Sequence, residues 1–161
     1  MDKRALLFAF GFMFFCYACK KDSNKADDLQ FKLNGSTYTF DSIYAKVDTT
    51  VDHIAITAIY ALNTKTRSSL HIGLQSTSMA IGGLYTRVQA PSNPLLLGFY
   101  FTILSGADVY SYSLESQPFT IQVSQSDNQL QGSFSGNVSE QLPQQQAAIT
   151  NGQFNTSFSY R

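Results

Sequence analysis

From Leu29 onward, apolar and polar residues alternate with a period of two rather than 3.6, the spacing of strands with one face turned inward. Phe31 and Leu33 fall on one side, Asn34-Gly35 supplies a two-residue hairpin turn, and Tyr38 with Phe40 begin the return strand. Further strands are expected at Ser42 to Val47, Ile54 to Leu62, Leu70 to Gln75, Leu95 to Leu104, Tyr110 to Leu114, Phe119 to Ser124, Leu130 to Val138 and Phe154 to Tyr160. Leu70, Ile72 and Leu74 alternate against Ser69, His71 and Gly73, and Phe119, Ile121 and Val123 against Thr120, Gln122 and Ser124, as in strands with one wet face. Pro94 to Leu104 is apolar on both faces; Pro94, Gly98 and the aromatic content favour a strand over a helix, and the two-sided pattern predicts a central strand covered on each side. The low-complexity stretch Gln141 to Gln146, with Pro143 breaking pairing, predicts a loop between the last two strands. Roughly ten short strands predict one all-β domain over 29–161, an antiparallel sandwich or barrel.

Composition narrows the function classes. Aromatic and charged residues each make up 14%, with nine Tyr, thirteen Phe and no Trp, which suits strands better than solvated helices. The 11 basic and 11 acidic side chains balance, so the clustered positive charge that nucleic acid requires is missing. Both cysteines, Cys16 and Cys19, precede the alternating region, so no disulfide can staple the fold and burial must hold it.

The first residues have the order of a secretory signal: Met1-Asp2-Lys3-Arg4, an apolar run from Ala5 to Phe15, then Ala18 before Cys19. The run is shorter than the roughly 18 apolar residues of a membrane-spanning helix. It resembles the bacterial lipoprotein signal, whose cysteine receives a diacylglycerol before a peptidase cuts ahead of it. The usual Leu-small-Ala/Gly lead is relaxed to Cys16-Tyr17-Ala18, but cutting before Cys16 would place bulky Phe15 where a small residue is needed. The resemblance therefore implies a signal peptide over 1–18, lipid on Cys19 and a membrane as partner. Reading Cys16 to Cys19 as a redox or zinc CxxC lacks a second ligand pair. Two or three acyl chains hold durably where one does not, since each buried methylene contributes about 0.8 kcal/mol. Residues 19–28, rich in Lys, Asp, Ser and Asn, read as a flexible tether. Lys20-Lys21-Asp22 is similar to a short tag that sends lipoproteins to the outer face of the outer membrane, so the expected location is the outer membrane, on its cell-surface or periplasmic face.

A second resemblance covers about half of the remaining chain. Pro118-Phe119-Thr120-Ile121, Leu130-Gln131-Gly132-Ser133-Phe134-Ser135-Gly136 and Ile149-Thr150-Asn151-Gly152-Gln153-Phe154 look like the ending of small β-rich lipoprotein families of unknown function. In those families a Gly-x-Phe strand pairs near an Ile-x-x-Gly-x-Phe strand. Phe31-Lys32-Leu33-Asn34-Gly35 followed by Tyr38 is similar to their opening strand, with Tyr38 in place of a common Trp. The resemblance implies architecture and no activity.

Catalytic patterns are missing from the sequence. His53 and His71 lie in different elements with no partner at i+4, and no Gly-x-Ser-x-Gly elbow, Walker loop or dinucleotide fingerprint occurs. Phe134 stands where the elbow serine would be, leaving Ser133 and Ser135 on a solvent face. Asp41, Asp48, Asp52, Asp108, Glu115, Asp127 and Glu140 mostly sit beside turn residues. Asp48, Thr50 and Asp52 lack the Gly and distal Glu of a calcium loop and read as a solvated turn. No catalytic residue, metal site or cofactor is expected, and the chain is read as a non-enzyme. For recognition, the tyrosines Tyr85, Tyr100, Tyr110 and Tyr112 stand out, because an aromatic face with a polar handle suits a glycan, a peptide or a protein partner. Tyr110 and Tyr112 share a face that Leu114 continues, which favours a core stripe. The sequence thus predicts a lipid-anchored binding or structural accessory module, with a lipocalin-like carrier of a small apolar ligand as the alternative.

Overall fold

Among the described residues, the alternation of inward and outward positions gives eleven strands: β1 (Asp28–Leu33), β2 (Ser36–Phe40), β3 (Ser42–Asp48), β4 (Ile56–Asn63), β5 (Ser68–Gln75), β6 (Gly83–Thr86), β7 (Leu95–Ser105), β8 (Asp108–Ser113), β9 (Phe119–Ser126), β10 (Gln129–Glu140) and β11 (Gln146–Tyr160). The structure, a computed structural model, describes residues 27–50, 53–87, 94–105, 107–114, 118–140 and 145–161. The expected signal peptide, Cys19, the tether to residue 26, Asp52, Glu115 and residues 141–144 of the expected loop lie outside the described residues.

Between sandwich and barrel, the pairing decides for a barrel. Strands β11, β3, β4, β5, β7, β6, β9 and β10 pair in that order, and β10 returns to β11, so eight strands close a ring and three more attach to it. Closure satisfies the strand edges that an open sheet would expose. Two seams, β11 with β3 and β6 with β7, are parallel, where an all-antiparallel fold was expected. Strand β1 pairs with β11 over residues 149–155 and β3 takes over at 158–160, while β8 bridges β7 and β10.

The turns follow from local chemistry. Leu33 pairs with Ser36, leaving Asn34 (φ 48°) and Gly35 (φ 86°) as the two-residue turn that left-handed backbone allows. Ser126 pairs with Gln129 in the same way around Asp127 (φ 50°) and Asn128. The fold also begins earlier than the alternation suggests, since Asp28 opens β1 and the Asp27 carboxylate accepts hydrogen bonds from Ser157 N (2.9 Å) and Oγ (3.1 Å).

The barrel centre is filled by rings. Phe31 lies 4.8 Å from Phe101, 5.8 Å from Phe134 and 6.4 Å from Phe99 between centroids, and Phe99 lies 4.8 Å from Phe119. Ile59, Ile72, Leu74, Ile121 and Leu130 close the layer around them. Each such buried side chain stabilises by roughly 1.5–3 kcal/mol. Strands β10 and β11 join this core through a reciprocal pair: Gly132 faces Phe154 and Phe134 faces Gly152. A Cβ on Gly132 would fall 2.4 Å from the Phe154 ring, and one on Gly152 would fall 2.4 Å from the Phe134 ring, so each ring lies over the partner strand's glycine.

Two expectations change. Strand β7 is central but covered on one side only: Leu96, Phe99 and Phe101 point inward, while Leu97 (47% exposed) and Tyr100 point outward. Its two-sided apolarity comes from a bulge, in which Gly98 pairs with Gly73 and Leu96 with Leu74, leaving Leu97 extra. Strand β11 starts at Gln146 rather than Phe154, so the expected loop gives up its last residue to the strand. Within β11, Asn151 at φ 53° marks a bulge, where both β1 and β10 shift register. Strand β6 was not anticipated.

Candidate functional site

On the outer wall, register brings four aromatic side chains into one row. Tyr44 pairs with Tyr60, Tyr60 with His71 and His71 with Tyr100, across β3, β4, β5 and β7. The rings stack in sequence, with centroids 5.0, 4.6 and 6.1 Å apart and interplanar angles of 21°, 18° and 12°. Tyr44 and Tyr100 at the row ends are half exposed, 49% and 53%, and the two rings between them are partly buried. On one side runs a row of hydroxyl and aliphatic groups, Ser42, Leu62, Ser69 and Thr102; on the other runs Lys46, Ala58, Gly73 and Gly98. Tyr100 leans toward the small residues, since a Cβ on Gly98 would lie 2.8 Å from its ring. An open groove of about 310 Å³ remains between the rings and the hydroxyl row. Burial holds the His71 imidazole below its ordinary titration range.

A second aromatic group lies on the inner side of the wall, at one end of the barrel. Phe101 pairs with Tyr112 and Tyr112 with Glu140, forming a row across β7, β8 and β10. Tyr112 stacks on Phe101 at 6.0 Å, and Tyr38 meets Phe101 edge-on at 5.0 Å. Burial raises the Tyr38 phenol above its ordinary value. It also raises Tyr112, with further contributions from the charge of Glu140 and from Tyr38 and Tyr110.

The tyrosines singled out from the sequence therefore separate. Tyr100 belongs to the outer row, whereas Tyr110 and Tyr112 line the inner end, partly buried. Tyr85 is fully buried, its hydroxyl donates to the Ile81 carbonyl, and burial pushes its pKa up to about 12, so it is a core residue. His71 sits on the outward side of its strand, as its parity requires. Tyr44 and Tyr60 were not anticipated, because each is one aromatic residue on the outward side of its own strand and only cross-strand register joins them.

Two of the acidic residues, Asp41 and Asp48, hold turns. Asp48 accepts from Thr50 N (2.9 Å) and Oγ1 (2.7 Å), and Asp41 accepts from Thr64 N (3.1 Å) and Oγ1 (2.7 Å), which holds both carboxyls below their ordinary range. Among the described residues, no three His, Cys, Asp or Glu side chains converge closely enough to hold a metal ion. Compared with family models, curated proteins and solved structures, the chain matches none.

Proposed function

We propose that this protein is a lipid-anchored lipoprotein of the outer membrane, facing the cell surface, whose barrel is a non-enzymatic binding module. The outer row is its contact surface. The observation that supports this reading is the row itself: four stacked aromatic rings in register on the face away from the core, beside a groove walled by hydroxyls. Stacked rings turn their faces to one another and leave edges, phenol hydroxyls and the end rings to a ligand. A polyhydroxylated chain offers matching C–H and O–H groups, which makes a glycan the ligand of choice. Cys19 supplies the lipid and the polar residues after it supply reach.

A closed barrel also suits a lipocalin-like carrier. The contacting Phe31, Phe99, Phe101 and Phe134 rings occupy the space a carrier would leave open, which favours the outer surface.

The anchor is tested by fatty-acid labelling of cells, where Cys19→Ala should abolish the signal; unchanged labelling would refute it. The contact surface is tested by NMR titration of the unlipidated mature chain with soluble neutral oligosaccharides and, separately, with short peptides of mixed sequence. Shifts at Tyr44, Tyr60, His71 and Tyr100 with the oligosaccharides support the glycan reading. Shifts with the peptides alone point to a peptide ligand instead. A long-chain fatty acid that moves Phe101 and Phe134 signals would favour the carrier.

A further inference from the structure

Glu140 is a buried carboxyl, 7% exposed, on the inner side of the barrel wall, and among the described residues no hydrogen bond reaches its Oε1. It stands beside Tyr112 in the row that begins at Phe101, so the carboxyl shares its face with aromatic rings. Tyr38 and Tyr112 both pack on Phe101, and Tyr110 lies two residues from Tyr112 on the same side of β8. Pairing and ring packing thus bring Tyr38, Tyr110, Tyr112 and Glu140 to one end of the barrel. A buried carboxyl oxygen without a hydrogen-bond partner costs free energy, and a positive group that arrives as a ligand relieves that cost. A negative group calls for a positive ligand. Aromatic rings attract a cation through their quadrupoles and also accept alkyl groups carried on it. One carboxylate among phenols does not supply the six to eight oxygen ligands of a calcium ion.

We propose that this inner end of the barrel binds an alkylated ammonium group, with Glu140 as counter-ion and Tyr38, Tyr110 and Tyr112 as aromatic walls. The site is separate from the outer row, and each stands without the other.

Titration calorimetry of the unlipidated mature chain (Cys19→Ser) with tetramethylammonium chloride, against sodium chloride at equal ionic strength, tests the site. Saturable binding is expected for the wild type, with methylammonium weaker because it covers less ring surface. Glu140→Gln should weaken binding about tenfold or more. Tyr112→Leu should weaken it about fivefold, whereas Tyr112→Phe, which keeps the ring, should change it little. Tyr100→Ala in the outer row should leave it unchanged. The Glu140→Gln protein should also lose the upward shift in melting temperature that tetramethylammonium gives the wild type. Absence of saturable wild-type binding overturns the proposal, as does equal affinity in Glu140→Gln. Should Glu140→Gln fail to fold, the wild-type titration and the Tyr112→Leu and Tyr112→Phe pair decide: equal affinity in the two variants overturns the site.

Discussion

On β3, β4, β5 and β7 the outward positions of one cross-strand row are Tyr44, Tyr60, His71 and Tyr100; on β9, β10 and β11 the corresponding row is Gln122, Ser133 and Gln153. The inward positions of the two walls carry the same kind of side chain, with Ile59, Ile72 and Phe99 under the first and Ile121, Phe134 and Phe154 under the second. The amide and hydroxyl wall has the roomier hollows, about 330 and 480 Å³ against about 310 Å³ beside the rings. Size therefore does not separate them; chemistry does. An exposed amide exchanges a water hydrogen bond for a ligand hydrogen bond with a net gain of only about 0.5–1.5 kcal/mol, and often less where solvent competes. A ring gains about 25 cal/mol for each Å² of apolar surface it buries. Since the inward residues account for the fold, the rings outside it are free to serve contact.

The strongest test of that separation acts on the shared core. Phe99→Ala removes a ring that touches Phe31, Phe119 and Phe134, and should destabilise by about 3–5 kcal/mol in urea unfolding. Hydrogen exchange should then show lowered protection on both walls; a loss confined to one wall would mean that the core is two cores. A smaller and one-sided effect is expected of Gly152→Ala, whose new Cβ would lie 2.4 Å from the Phe134 ring. Overpacking of this kind costs about 1–3 kcal/mol. Chemical shifts should move along β10 and β11 and stay fixed at Tyr60 and His71.

Substitutions on the outer walls sharpen the comparison directly. Tyr60→Ala breaks two cross-strand ring contacts, one to Tyr44 and one to His71, and should cost roughly 0.4–2 kcal/mol at 0.2–1 kcal/mol for each pair. Gln122→Ala on the opposite wall should stay within about 0.5 kcal/mol. Equal costs in the two variants, read from paired urea titrations, would show that the rings add nothing to the sheet beyond what an amide adds.

Much of the wall was legible from residue alternation alone. Leu70, Ile72 and Leu74 and Phe119, Ile121 and Val123 are all buried, as the period of two requires. The Gly-x-Phe and Ile-x-x-Gly-x-Phe segments pair, with Phe over Gly in both directions. What stayed hidden depends on register. Leu97 inserts one residue and reverses which side of β7 is apolar. Strand β6 has four residues, too few to establish a period. The outer row was invisible for the same reason: Tyr44, Tyr60, His71 and Tyr100 are scattered along 57 positions of sequence and meet only when four strands align. Glu140 reads as a polar residue at a strand end, and only the bridge from β8 turns it into a buried acid beside Tyr112.

The smallest expected effect is a difference in pH dependence between the walls. His71 is partly buried between Tyr60 and Tyr100, and burial disfavours its charged form, so the folded chain takes up this proton at a lower pH than the unfolded chain, whose histidine titrates near about 6.5. Between those two pKa values the unfolded state holds more protons, so stability rises with pH across that window. The contribution is fully present above the unfolded value and is lost as pH falls from there through the folded one. Urea unfolding at pH 7.5, 6.5 and 5.5 should therefore show wild type losing stability toward acid more steeply than His71→Phe, which keeps a ring in the row and removes the titrating group. Gln122→Ala should follow the wild-type profile, because its row holds no group that titrates there. Parallel profiles for wild type and His71→Phe would mean that the imidazole is as well solvated in the row as in the unfolded chain, and would remove the partial burial that sets the aromatic wall apart.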